Sequence, residues 1–263
     1  MRIYRQELKF QARSIVLWLG SILTALLLFM GIFPGFAREA DLLKDALSAF
    51  PESLMASMGM DINTIFEASG FVSYIYGFIQ LVLVIMATLY GLTLMNREKL
   101  ARMSDFLYAK PLSRQRIFLE KVLAAITAFL IIHIAIVLMF FFMATRWAID
   151  DSSQIAINQM ILSGLLLQIL TFALSTLWGT LSQRIKNPVG SASALSFGLF
   201  LILLVGRLMS NDVIKKLSPF GYVEPLEISA KGLSSIAIIS FFLLSLALLT
   251  LSALILTRQD LEA

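Results

Sequence analysis

The chain has 263 residues, of which 59% are hydrophobic and only 14% charged, whereas a soluble domain carries about 25% charged residues. Its mean hydropathy is +0.86. It contains no cysteine, which excludes a disulfide framework, a thiolate metal site and a cysteine nucleophile. The formal net charge of +4 invites a nucleic-acid reading that the placement of the charges argues against.

The apolar residues fall into six blocks, at about 14–36, 71–95, 118–145, 155–181, 189–209 and 234–257. Each is long enough for an α-helix to cross a bilayer, which takes roughly 20 residues. Backbone polar groups in hydrocarbon must pair internally, so the blocks predict helices. The alternation expected of a β-barrel is absent. The predicted fold is an all-α integral membrane bundle of six spans, a single unit over residues 1–263. The first block is longer than a signal-peptide core, so no cleaved leader is expected.

An even number of spans puts both termini on one side, and the distribution of Lys and Arg chooses the side. With the N-terminus in the cytoplasm, fourteen of the 21 Lys and Arg fall on inner segments and seven on outer ones. The expected placement is therefore a multi-pass cell-membrane protein with cytoplasmic termini. The basic charge reports topology, and no nucleic-acid partner is expected.

Residues 1–13 are basic and amphipathic, with Ile3, Tyr4, Leu8 and Phe10 between charges. They read as a short interfacial helix on the inner leaflet or as a basic, topology-setting tail. Pro34, between Gly31 and Gly35, predicts a kink or helix end at the outer side of the first span. The outer segment 37–70 is too long for a turn. Leu42, Leu43, Ala46, Leu47 and Phe50 share a helical face before Pro51 interrupts it, which predicts two short amphipathic helices.

The loop at 96–117 is the most distinctive segment. Leu100, Met103, Phe106 and Leu107 form an apolar stripe at helical spacing, with Arg97, Lys99, Arg102 and Asp105 elsewhere around the helix. Pro111 ends that helix and Ser113 is an N-cap candidate for the third span. Such an element lies in the lipid interface, docks on a cytoplasmic partner, or is a solvated basic loop.

Inside the spans ionisable groups are almost absent. His133 is the clear exception, and Gln80 and Gln168 are the notable neutral polar residues. Each reads first as an interhelical hydrogen bond and second as a contact on a substrate path. Carriers coupled to ions usually keep charged relays within the membrane, so a secondary carrier is disfavoured. No GxxxxGK[ST] loop, HExxH pair or GxSxG elbow occurs, so neither ATP binding by a P-loop nor an intramembrane hydrolase is expected. In the fifth span Gly190, Ala194 and Gly198 repeat every fourth residue, a ridge for close approach of an internal helix or a second protomer.

The sequence of Glu98, Asp105-Phe106-Leu107, Lys110-Pro111-Leu112-Ser113-Arg114, Ile117 and Lys121 resembles the loop of ABC-2-type transporter permeases, the membrane subunits of type V ABC exporters. Residues 50–71 are similar to that family's outer loop, and "LSPFGYVEP" at 217–225 resembles its segment before the sixth span. The chain departs from the common Gly-Thr pattern at Arg102-Met103-Ser104. The resemblance implies a half-transporter that pairs with a second permease subunit, identical or paralogous. A separate cytoplasmic P-loop ATPase would carry ATP and magnesium, leaving no cofactor in this chain. Arg97, Glu98, Arg102, Asp105, Phe106, Leu107, Pro111, Ser113 and Arg114 would form the ATPase-coupling element. Residues 183–188 would make a second cytoplasmic contact, and the first, second and fifth spans would face the partner and the substrate path. The expected activity is export of an amphipathic or hydrophobic substrate such as a peptide, lipid-like molecule or drug. A non-transport scaffold or anchor shares the topology and is the alternative.

Overall fold

The structure, a computed structural model, describes residues 2–101, 113–147, 149–182 and 185–258. Six helices among these residues are long and apolar enough to cross a membrane. They are α1 (Arg2–Arg38), α4 (Ala68–Ala101), α5 (Arg114–Trp147), α6 (Asp151–Leu181), α7 (Pro188–Leu208) and α10 (Ser235–Arg258). Shorter elements are α2 (Ala40–Ser48), α3 (Glu52–Met58), α8 (Asp212–Lys216), a 3-10 turn (Pro219–Tyr222) and α9 (Pro225–Lys231). The described residues contain no strand. The six-span, all-α reading of the sequence is therefore met.

The helices overrun the apolar blocks. At 1.5 Å per residue α1 is about 55 Å long, against about 30 Å of hydrocarbon. The N-terminal basic segment is helical, as expected, but it is not a separate element. It runs without interruption into the first span, because no Gly or Pro separates them. Its position has a local cause: Tyr4 N donates to Glu120 Oε2 at 3.1 Å, and Tyr4 OH lies 3.1 Å from Thr127 Oγ1. Thr127 already donates to Leu123 O, so the tyrosine is the donor. The start of α1 is thus pinned along the start of α5.

Pro34 does not end α1, which continues to Arg38. A proline so near a C-terminus costs few helical bonds, and neighbouring helices make such breaks tolerable in membranes. The two amphipathic helices of the outer segment appear as α2 and α3. Pro51 is the N-cap residue of α3, and Gly59 closes it with φ of 78°, the left-handed cap that glycine adopts without strain.

α4 and α6 are the most enclosed spans and cross with backbone nearly touching. A Cβ on Gly91 would overlap Ser175 Oγ and lie 2.6 Å from Phe172 O. A Cβ on Gly164 would overlap the Tyr76 hydroxyl, and one on Gly179 would stand 3.2 Å from Leu92 O. α1 buries one stripe, Ile15, Ile22, Leu26, Met30 and Phe33, and exposes Leu17, Leu28 and Ile32. At the head of α6, Asp150 caps the helix by accepting from Ser153 N at 3.0 Å and from Ser152 Oγ. These bonds hold its carboxyl far below the usual carboxylate range.

Candidate functional site

The bundle has one face carrying the start of α1, the end of α4, the starts of α5 and α7, and the ends of α6 and α10. This face presents the loop singled out from the sequence. Residues 97–101 continue α4 as helix, so this part of the stripe extends the second span and does not begin a separate helix. Arg97 and Glu98 lie in that extension. Arg102, Asp105, Phe106, Leu107 and Pro111 lie outside the described residues.

The two roots of the loop are tied to each other and to their neighbours. Lys121 is buried, and its ammonium donates to Leu94 O at 2.8 Å, joining α5 to α4. A cation in an apolar interior needs such an acceptor. Asn96 is also buried. Its Nδ2 donates to Ile185 O at 2.9 Å while its Oδ1 accepts from Ile185 N at 3.1 Å. The amide thus pairs with the backbone of the α6–α7 connection as a neighbouring strand would. Ser113 Oγ accepts from Arg116 N at 3.4 Å, and α5 starts at Arg114. Arg114 Nη1 donates to Leu256 O at 3.4 Å, reaching the end of α10. With Glu120 holding Tyr4, bonds to α1, α4, α10 and the α6–α7 connection converge within a few turns of the loop.

The three polar residues considered for a substrate path are all buried inside the subunit. Gln80 Nε2 donates to Ser163 Oγ at 3.1 Å and to Val223 O at 3.2 Å. Gln168 Nε2 donates to Leu83 O at 3.3 Å. His133 Nδ1 donates to Phe129 O, one turn back on its own helix, at 3.0 Å. Both glutamines bind α4 to elements packed on it, and neither shares a hydrogen-bond partner with His133. The Gly190–Ala194–Gly198 ridge faces away from the other helices. Gly190 and Ala194 are exposed, and a Cβ on Gly198 would meet nothing within 4 Å. The inner face of α7 is instead Ala192, Ser196, Phe200 and Leu203.

The opposite face holds a polar centre absent from the sequence reading. Arg207 at the end of α7 donates from Nε to Glu224 Oε1 at 2.7 Å, with side-chain exposures of only 7% and 5%. Lys215 pairs with Asp212 at 3.0 Å and Glu227 at 2.9 Å, and its ammonium stands 4.0 Å from Glu224 Oε2. Gly59 lies against the Arg207 guanidinium, where a Cβ would come within 2.7 Å of Nη1. The centre therefore fastens α3, α7, α8 and α9 into one cap. Charges 17 positions apart leave no spacing signal. The weaker signal was an arginine inside the fifth apolar block, near its end, which is costly unless paired.

Residues 1–261 match the family described as ABC-2 family transporter protein. The chain belongs to that family. No curated protein matches the sequence. As an ABC-2 family member with six membrane-length helices, it is a multi-pass membrane permease subunit of an ABC transporter. The braced loop roots lie where the family resemblance placed the coupling segment. Among the described residues no group of three or more His, Cys, Asp or Glu side chains is arranged to hold a metal ion.

Proposed function

We propose that this permease exports an amphipathic or hydrophobic substrate, driven by ATP hydrolysis on a separate P-loop ATPase that docks on the loop between α4 and α5. The observation that carries this reading is the bracing of that loop's roots by Lys121 and Asn96. A displacement applied there reaches α4, α5 and the α6–α7 connection together. ATP and magnesium belong to the ATPase, whose closure pushes the loop and opens the path on the far side.

The testing experiment concerns Phe106 and Leu107, which we assign to a groove on the ATPase, with Arg97, Glu98, Arg102 and Asp105 around them. Truncating a buried aromatic anchor costs about 2 kcal/mol or more, so Phe106→Ala weakens ATPase association by roughly tenfold or more. Arg102→Ala has a smaller effect, because exposed charges contribute about 0–1 kcal/mol. Binding of the co-expressed ATPase to the lipid-reconstituted permease measures both. Full retention by Phe106→Ala removes this loop as the coupling element. A chain that never co-purifies with an ATPase points to the scaffold reading.

The proposed orientation places both termini in the cytoplasm and α2 and α3 outside. Ser48 and Ser113 are both exposed, and the chain has no native cysteine. An impermeant maleimide applied to intact cells labels Ser48→Cys and spares Ser113→Cys; the inverse pattern reverses the topology.

The outward ridge of α7 is assigned to a second permease subunit, identical or paralogous. Ala194→Leu then weakens pairing, with overpacking worth about 1–3 kcal/mol, and leaves unfolding of the single subunit unchanged. Cross-linking yield against concentration separates this from a ridge that faces lipid, for which pairing is unaltered.

A further inference from the structure

On the face opposite the termini, α1 and α5 part and leave a groove of about 400 Å³. Its floor is apolar: Leu27 and Gly31 from α1, Phe142 and Met143 from α5. A Cβ on Gly31 would meet nothing within 4 Å, so the missing side chain leaves free volume. Its rim is Arg146 and Trp147, in the last turn of α5.

The rim is chemically one-sided. Guanidinium and indole N–H groups only donate. Neither Arg146 nor Trp147 has an acceptor among the described residues, and no carboxylate lines the groove. An arginine at a helix end normally extends into water. Here the guanidinium folds back over the Phe142 ring, 6.0 Å from its centroid, and stays at the mouth of the groove. An apolar trough ending in two donors that have no protein acceptor among the described residues, in the last turn of a membrane-length helix, fits an occupant with a hydrocarbon tail and an anionic head.

We propose that this groove binds one glycerophospholipid, an acyl chain lying over Gly31 and the phosphodiester received by Arg146 and Trp147. The site is separate from the coupling loop and does not depend on the identity of the exported substrate. Its lipid is a bound component of the bilayer leaflet on that side.

Trp147 is one of three tryptophans, so replacing Trp18 and Trp178 by phenylalanine makes it the only emitter. The purified full chain is titrated in maltoside micelles, which carry no phosphate, with brominated phosphatidylglycerol or with brominated diacylglycerol. Brominated phosphatidylglycerol is expected to quench Trp147 saturably, at a concentration roughly fivefold lower than the diacylglycerol, the factor for about 1 kcal/mol per arginine near a lipid headgroup. Arg146→Gln removes that preference and Arg146→Lys retains part of it. Gly31→Leu fills the trough and weakens quenching by both lipids. Inorganic phosphate should not displace phosphatidylglycerol at equal concentration; displacement would make the rim a site for free anions and overturn the lipid assignment. Equal quenching by the two lipids, before and after Arg146→Gln, would reduce the groove to ordinary annular contact. Shielding of Trp147 from both lipids, in a chain that cross-links to a second copy through Gly31→Cys, would give the groove to that copy instead.

Discussion

Replacing Arg207 by alanine is expected to lower the unfolding free energy by about 3–5 kcal/mol, the usual cost of removing one partner from a buried ion pair. Glu224 would be left with neither carboxylate oxygen directly bonded, because Oε2 already has no hydrogen-bond donor among the described residues. Gly59 would lose the guanidinium packed against it, loosening α3 as well as the α8–α9 segment. Thermal unfolding in detergent should show a fall on the order of ten degrees. The double substitution Arg207→Met with Glu224→Leu should recover most of the loss, since a buried pair replaced by apolar groups of similar volume is often neutral or better. A single Arg207→Ala as stable as the parent would mean that the pair does not hold the cap.

The contributions of Lys215 and Asp212 to this centre should not change with pH across the neutral range. Burial of the Lys215 ammonium acts to lower its pKa, but its bonds to Glu227 and Asp212 and the charge of Glu224 outweigh this and raise it. A raised lysine contributes fully below its unfolded value and is lost as pH rises through the folded one. Asp212 is lowered, first by its bond to Lys215. Its contribution is complete above the unfolded value and lost as pH falls through the folded one. Both windows lie outside about pH 4–10, given reference values near 3.9 and 10.4.

The second large effect is at Gly91. Gly91→Val places branched carbon where Ser175 Oγ and Phe172 O already leave no room for a Cβ. Backbone cannot swing aside as a flexible side chain can, so α4 and α6 must separate, at a cost of about 3 kcal/mol, the upper part of the overpacking range. The separation also disturbs Asn96, just over one turn further along α4. Cleavage of the α6–α7 connection by a protease added to the purified protein should accelerate, while Gly20→Val, where a Cβ meets nothing within 4 Å, changes neither stability nor cleavage. Equal behaviour of the two variants would contradict the close crossing.

The number and order of the spans were legible because bilayer thickness imposes one long apolar run per helix. The faces were not. The small-residue criterion selected Gly190–Ala194–Gly198, which turns outward, and passed over Ser175 and Gly179, which have the same four-residue spacing and lie at the crossing with Gly91. Spacing shows that a ridge exists, and only the fold shows which ridge another helix meets. The loop at 96–117 was identifiable from its stripe and its Pro-Leu-Ser-Arg turn, and Ser113 stands at the start of α5 as the cap rule requires. Asn96 and Ile185 were not paired in advance, because the amide recognises backbone and position 185 therefore offers no complementary side chain. The Arg207–Glu224 pair was hidden for a related reason: the charge count sorted arginines by side of the membrane and carried no information on depth.

The backbone targets of Asn96 and Lys121 have a consequence for how such a subunit diversifies. The hydrogen bonds end on the peptide groups of Ile185 and Leu94, so substitutions of comparable size at 185 and 94 leave both bonds in place, whereas 96 and 121 have no substitute of equal reach and chemistry. Mutational drift is therefore channelled to the residues around these two anchors. Residues 94 and 185 can thus change from one descendant to the next while the frame that joins α4, α5 and the α6–α7 connection stays the same.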